Sequence, residues 1–184
     1  MRETNRVVPD VTKQVRNLRV DAPTLYLNFG GVLNVGHGLV GDDGVVTLDS
    51  GRELFEHAPI LINFLTSQPM VQIVLTTSWL QTLGAERTTE LLPDELRRRV
   101  VGTTRETPPR LAELRDGSAK AWVPIHHARK HAIRLWLALD DEAWGVPSGF
   151  EHHFLRTSSE TGLGALDVQR KLQLWLAATG IGTD

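Results

Sequence analysis

The stretch that most restricts the fold of this chain is Thr24 to Leu33, which reads T-L-Y-L-N-F-G-G-V-L. A short run of apolar, β-prone residues stops at two adjacent glycines, which predicts a central strand handing over to a tight loop. Leu25 and Leu27 flank Tyr26 in the alternation of a half-buried pleated surface. In an open sheet the chemistry gathers beyond the carboxyl ends of the strands, so Asn28, at the end of this strand, is the first candidate position.

The rest of the chain repeats this pattern. Residues 35–40 and 45–48 are two β-prone runs joined by Gly41-Asp42-Asp43-Gly44, a hairpin signal. Ser50 and Glu53 have capping-box spacing, and Leu54, Phe55, Ala58, Leu61, Ile62 and Leu65 share a helical face, which predicts a helix over 51–66. Residues 71–75 form a second strand that ends in Thr76-Thr77-Ser78-Trp79. A helix over 80–91 stops at Pro93, 100–102 is a third strand, and 103–117 is loop and broken helix. A helix over 118–131 carries Pro124, a fourth strand over 135–139 runs into Asp140-Asp141-Glu142, a fifth strand covers 153–156, and Val168, Leu172, Trp175 and Leu176 mark a closing helix. Strands alternating with helices predict an α/β fold with a mostly parallel central sheet and helices on both faces.

With 184 residues and 41% hydrophobic content the chain has enough for one core, and residues 21–184 read as one domain behind an N-terminal arm at 1–20 that holds a short helix at 11–18. The net charge of -2 gives no broad basic field, so charge does not indicate nucleic-acid binding. The absence of cysteine excludes disulfides and thiolate zinc sites. The N-terminus has no apolar signal core, and no run approaches the roughly 18 residues of a membrane span, so the expected setting is soluble and cytoplasmic. His127 and His131 stand one helical turn apart but lack the glutamate of the H-E-x-x-H zinc pattern, and with His126, His152 and His153 they read as surface histidines.

Asn28-Phe29-Gly30-Gly31-Val32-Leu33 resembles the first motif of the haloacid dehalogenase-like (HAD) phosphatases, D-x-D-G-V-L after an apolar strand, with both aspartates replaced. The resemblance extends from about residue 24 to 176. Thr77, in V-L-T-T-S-W, is similar to the second motif, whose hydroxyl and amide hold a phosphoryl oxygen; Thr76 or Ser78 is the alternative. The third motif is a lysine that neutralises phosphate charge, and here Lys120 or Lys130 could fill it. Because its helix runs antiparallel to the fourth strand, Lys120 lies at the carboxyl edge, whereas Lys130 is about 15 Å further along at 1.5 Å per residue. Asp140 and Asp141 resemble the acidic fourth motif, whose carboxylates hold Mg²⁺. Thr161-Gly162-Leu163 and the short form also look like the HAD domain associated with bacterial RNA-repair proteins.

In that family the first aspartate attacks phosphorus and the second acts as general acid and base. Asn28 is a neutral, poor nucleophile and Gly30 has no side chain, so the resemblance implies a phosphatase fold with impaired catalysis and weak or absent Mg²⁺ binding. Only the hairpin at 35–48 could cover the site, with no separate cap domain. An open site suits a phosphorylated ligand or a macromolecular partner, including a nucleic-acid end. The alternative is an active Mg²⁺-dependent phosphohydrolase in which Asp140, Asp141 or Asp42 supplies the missing carboxylate.

Overall fold

The computed structural model describes residues 17–180, so the expected helix at 11–18 lies almost wholly outside the described residues. Strands β1 (Thr24–Leu27), β4 (Gln72–Leu75), β5 (Val100–Thr103), β6 (Trp136–Asp140) and β7 (Phe154–Arg156) form one parallel sheet in the order β5-β4-β1-β6-β7. β1 is the middle strand. The chain moves outward from it through β4 to β5, then returns to its other side with β6 and β7, and such a reversal opens a crevice at the carboxyl edge.

Every residue of β1, β4 and β6 is buried, which corrects the half-buried reading of β1: both of its faces are covered. Leu25, Leu27, Ile73, Leu75, Leu137 and Leu139 point into a core shared with α1 (Ala58–Thr66) and with the long C-terminal helix at Leu166–Gly180. Tyr26, Val74, Trp136 and Ala138 point the other way, onto Ile125 and Ala128 of the helix at Ala119–Lys130. The helix at Ala119–Lys130 continues through the buried Pro124.

Between β1 and α1 lies the expected hairpin, β2 (Gly38–Val40) paired antiparallel with β3 (Val46–Leu48), and no separate cap is present among the described residues. The helix expected over 51–66 begins only at Ala58. Pro59 falls in its first turn, where a missing N–H is harmless, and Ser50 lies seven residues before the N-cap His57; its hydroxyl accepts the Arg52 N–H at 3.3 Å and donates to the Val35 carbonyl at 2.6 Å, a turn rather than a helix cap. The helix expected over 80–91 is two pieces, α2 (Trp79–Thr82) and α3 (Ala85–Glu90), divided at Gly84 with φ +80°. Pro93 then opens a short α4 (Asp94–Arg97), and α5 (Leu111–Arg115) is the helical part of the segment before α6 (Ala119–Lys130). The chain closes with α7 (Leu166–Gly180).

His152 is exposed as expected, but His126, His127 and His153 correct the surface reading. His127 is 5% exposed, and its Nδ1 accepts the Tyr26 hydroxyl at 2.9 Å. His126 Nε2 bonds Glu113 at 2.7 Å, and His153 stacks on Trp136 with centroids 4.1 Å apart while its Nδ1 donates to the Trp136 carbonyl. Burial drives the His127 pKa down to about 4, which keeps a neutral ring able to accept from Tyr26. Among the described residues no helix is long and apolar enough to cross a membrane.

Candidate functional site

The register places Leu27 beside Leu75 and Leu139, so Asn28, the 76–78 turn and Asp140-Asp141 leave adjacent strands at one edge. Asn28 is 3% exposed, and its neighbours fix its orientation. The amide oxygen accepts the Phe29 N–H at 2.9 Å, and the nitrogen donates to the Gly30 carbonyl at 3.1 Å and to Asp141 Oδ1 at 3.2 Å. Turned over, the amide would face donor with donor and acceptor with acceptor.

The two glycines play different parts. A Cβ on Gly31 would lie 2.2 Å from the Asp141 carboxylate, and its φ of +61° also disfavours any other residue. A Cβ on Gly30 would meet nothing nearer than the Gly36 carbonyl at 3.6 Å, so this position has room for a side chain and lacks one. The loop is braced from the far end of the chain: Thr157 Oγ1 donates to the Gly31 carbonyl, and the Leu163 N–H donates to the Val32 carbonyl at 3.0 Å. Gly162 explains the T-G-L signal, since a Cβ there would come within 2.5 Å of the Val32 oxygen.

Across the edge, Lys120 Nζ sits 2.5 Å from Glu142 Oε2 and 3.7 Å from Asp140 Oδ1, whereas Lys130 is exposed in the last turn of α6. Asp140 Oδ1 also accepts the Glu142 N–H at 2.8 Å. Burial pushes the Asp140 pKa up to about 6 against the opposing pull of Lys120, and burial likewise raises that of Asp141. For Lys120 burial works against the charge, but the surrounding carboxylates, Asp140 first, hold its pKa above the usual value. Glu142 is therefore a site residue missed in the sequence, where it read as the tail of the acidic run.

The second-motif residues divide. Thr77 is buried, with its Oγ1 3.4 Å from the Trp79 N–H, and Ser78 is exposed at the start of α2. A cleft of about 470 Å³ opens beside them, bounded by Thr77, Ser78 and Lys120 at one end and by the segment 104–109 at the other. The sequence reads that segment as part of a stretch of loop and broken helix over 103–117. Over the edge stands the root of the hairpin. Gly38 lies so close to the Trp79 indole that a Cβ would fall 2.4 Å from it, and His37 bonds Asp49 through its backbone N–H at 2.7 Å and through Nδ1 at 3.3 Å. Asp42 is exposed in the hairpin turn.

A parallel α/β sheet with this strand order, motif positions at three adjacent strand ends and a hairpin in place of a cap define a haloacid dehalogenase-like domain. The chain belongs to the family described as the HAD domain in Swiss Army Knife RNA repair proteins, whose model matches residues 24–168. No curated protein and no solved structure matches the chain significantly.

Enzymes of this fold generally use Mg²⁺, a cation that takes oxygen ligands. Here Asp141 faces the Asn28 NH₂, a donor, and Asp140 faces Lys120. Among the described residues no group of three or more His, Asp or Glu side chains is arranged to hold a metal. The residues as arranged do not compose a Mg²⁺ ligand set.

Proposed function

We propose that this domain binds a phosphorylated ligand at the edge between Thr77 and Lys120 without phosphoaspartate chemistry. The observation that carries the reading is the Asn28 amide, which points its nitrogen at Asp141 and spends its oxygen on the Phe29 N–H. A neutral amide oxygen so held is a poor nucleophile toward phosphorus. Gly30 in turn offers no proton, and acid-base assistance of that kind is worth about 10²–10⁴-fold in rate. What remains suits recognition: Lys120 and Arg105 line the adjoining cleft, and Arg105 has no ion-pair partner among the described residues. Asp140 and Glu142 hold Lys120 in place and draw on its charge, so Arg105 supplies the larger share of the attraction for an anion. The family description makes the phosphorylated end of an RNA the leading macromolecular candidate, reached through local groups since the net charge is -2.

A second reading keeps turnover. His37, oriented by Asp49, adjoins Gly36, whose carbonyl is the nearest neighbour of the missing Gly30 side chain. A generic aryl phosphate separates the two readings. Binding without product formation, with and without Mg²⁺, is the expected result; product formation that disappears in Asp140→Ala or His37→Ala would replace the binding reading with the hydrolytic one.

A further inference from the structure

The chain crosses from β6 to β7 through residues 141–153, whose regular structure is one short 3₁₀ turn at Glu151–His153. The crossover starts at the carboxyl edge, where Asp141 leaves β6. It ends at the opposite edge, where Phe150 shares a surface hollow with Arg129, Arg134 and Trp136, the first residue of β6. An arginine lies on an aromatic ring at each end. The Arg156 guanidinium is 4.1 Å from the Trp144 ring centroid, and that of Arg129 is 5.1 Å from the Phe150 centroid.

Trp144 is the informative residue. Of the five tryptophans it alone is exposed, at 56%. Its backbone is nonetheless anchored beside the site: its N–H donates to the Glu142 carbonyl at 2.8 Å, and a Cβ on Gly145 would lie 3.0 Å from that of Ser118, just before α6. The charges around it are unbalanced. Arg156 pairs with Asp140 in the sheet register, yet its guanidinium forms no ion pair among the described residues, and neither do those of Arg129 and Arg134. Between Glu142 and Glu151 the crossover has no carboxylate, and α6 has none. Lys120 engages Glu142 at 2.5 Å, and Glu151 accepts the Gly149 N–H at 2.7 Å.

We infer that a single strand of RNA leaves the phosphate site over this crossover, with a base stacked on the face of Trp144 that Arg156 leaves free. Its phosphates meet Arg156 first, then Arg129 and Arg134. The inference rests on the phosphate reading above for where the RNA ends. The two arginine-capped rings stand roughly 13 Å apart, four residue steps of β6 at ~3.3 Å each. A mononucleotide cannot span them, and a strand can. An acidic peptide would satisfy the arginines but bring no flat ring to Trp144, and a duplex hides the faces of its bases. Unpaired bases each offer a face, and aromatic side chains stack them whatever the sequence.

The test is fluorescence anisotropy of the full chain with a labelled single-stranded oligoadenylate of about eight nucleotides, a usual length for single-stranded sites. It carries phosphate at both ends or hydroxyl at both ends, and calorimetry with inorganic phosphate runs alongside. The phosphorylated form is expected to bind more tightly. Trp144→Ala is expected to cut affinity for both forms about tenfold and Trp144→Phe by less than about threefold, with phosphate binding unchanged in each. Arg129→Gln with Arg156→Gln is expected to flatten the dependence of log affinity on log salt by about 1.4, at ~0.7 per phosphate contact. Thermal transitions check that the variants fold. Binding indifferent to Trp144→Ala, undiminished when the oligoadenylate is paired with its complement, or displaced equally well by polyglutamate overturns the RNA path and leaves the phosphate reading standing. Equal affinity for the two forms with no inorganic phosphate bound, the Trp144 dependence being intact, keeps the path and removes the phosphate reading. No binding of either oligonucleotide removes the path, and the phosphate titration then decides the phosphate reading by itself.

Discussion

The loop after β1 and the end of β6 meet where Asn28 touches Asp141, and they depart from the family pattern in opposite ways. The loop has lost its two chemical side chains and kept its backbone: Gly31 at φ +61°, braced by Thr157 and Leu163, still passes beneath the Asp141 carboxylate. The end of β6 keeps its carboxylates, and their partners are now an amide and an ammonium group. The difference separates two demands on one motif. A position with open space around it can change its side chain at little cost to packing, whereas a residue that lets the chain pass close to a neighbour is held by packing.

The sharpest way to break this comparison is at the glycines. Gly31→Ala is expected to lower unfolding stability by about 2–4 kcal/mol, combining the unfavourable φ with the contact against Asp141. Gly30→Ala is expected to change it by less than about 0.5 kcal/mol, as surface-like substitutions do. Denaturant unfolding of both checks it, and similar losses at the two positions would erase the distinction between chemical and packing glycines.

Acid separates the edge from the interior, because Asp140 and His127 act with opposite sign. His127, depressed to about 4 by burial, contributes stability that is present above its unfolded value of about 6.5 and is lost as pH falls through 4. Asp140, raised to about 6 by burial, contributes stability that is present below its unfolded value of about 3.9 and is lost as pH rises through 6. Each effect is on the order of 3 kcal/mol, so the native chain is expected to change little between pH 6.5 and 4 on their account. Asp140→Asn should expose the His127 loss as a steep fall in stability over that window, measured by urea unfolding at a series of pH values. A flat profile in that variant would mean that His127 is not held neutral.

Lys120→Met tests the β6 side alone. It leaves Asp140 buried without its cation, and a loss of about 2 kcal/mol is expected at pH 7, shrinking toward pH 5 as Asp140 takes up a proton. Thermal unfolding at both pH values measures it.

The smallest expected effect rebuilds the older site. Asn28→Asp with Gly30→Asp replaces the amide donor by a carboxylate beside Asp141, so the variant should be less stable in chelator and recover in Mg²⁺, by about 1.4 kcal/mol at ten times the dissociation constant. The wild-type chain should show no such recovery. Equal Mg²⁺ responses would mean that Asn28 is not what keeps the cation out.

Much of this edge was legible in the sequence because the buried parallel strands announce themselves as apolar runs with polar ends. β1, β4 and β6 could be placed that way, and helix direction alone separated Lys120 from Lys130. Local signals failed where a distant group intervened. Ser50 has the spacing of a cap and its hydroxyl accepts the Arg52 N–H, but it also donates to Val35, fifteen residues back, and the chain turns there without starting a helix. His127 reads as a surface residue on α6 until Tyr26, 101 positions away, claims its ring nitrogen. The cleft was illegible for a similar reason: Thr104 to Pro109 look like connecting loop, and only the return of the chain from β5 sets them opposite α6.

The brace between Thr157 and Gly31 has a consequence for the order in which the molecule is made. It joins positions 126 residues apart, so the loop at the heart of the site depends on chain synthesised well after β1. β1 can pair with β4 as soon as β4 emerges, yet its exit loop stays unsupported until β6, β7 and the 157–163 segment have followed. Contacts of such separation form late, after the entropy of closing the long segment has been overcome. On the ribosome, therefore, this domain completes neither its core nor this loop until late, because the α7 side chains that fill the core, Val168, Leu172 and Leu176, follow the bracing segment.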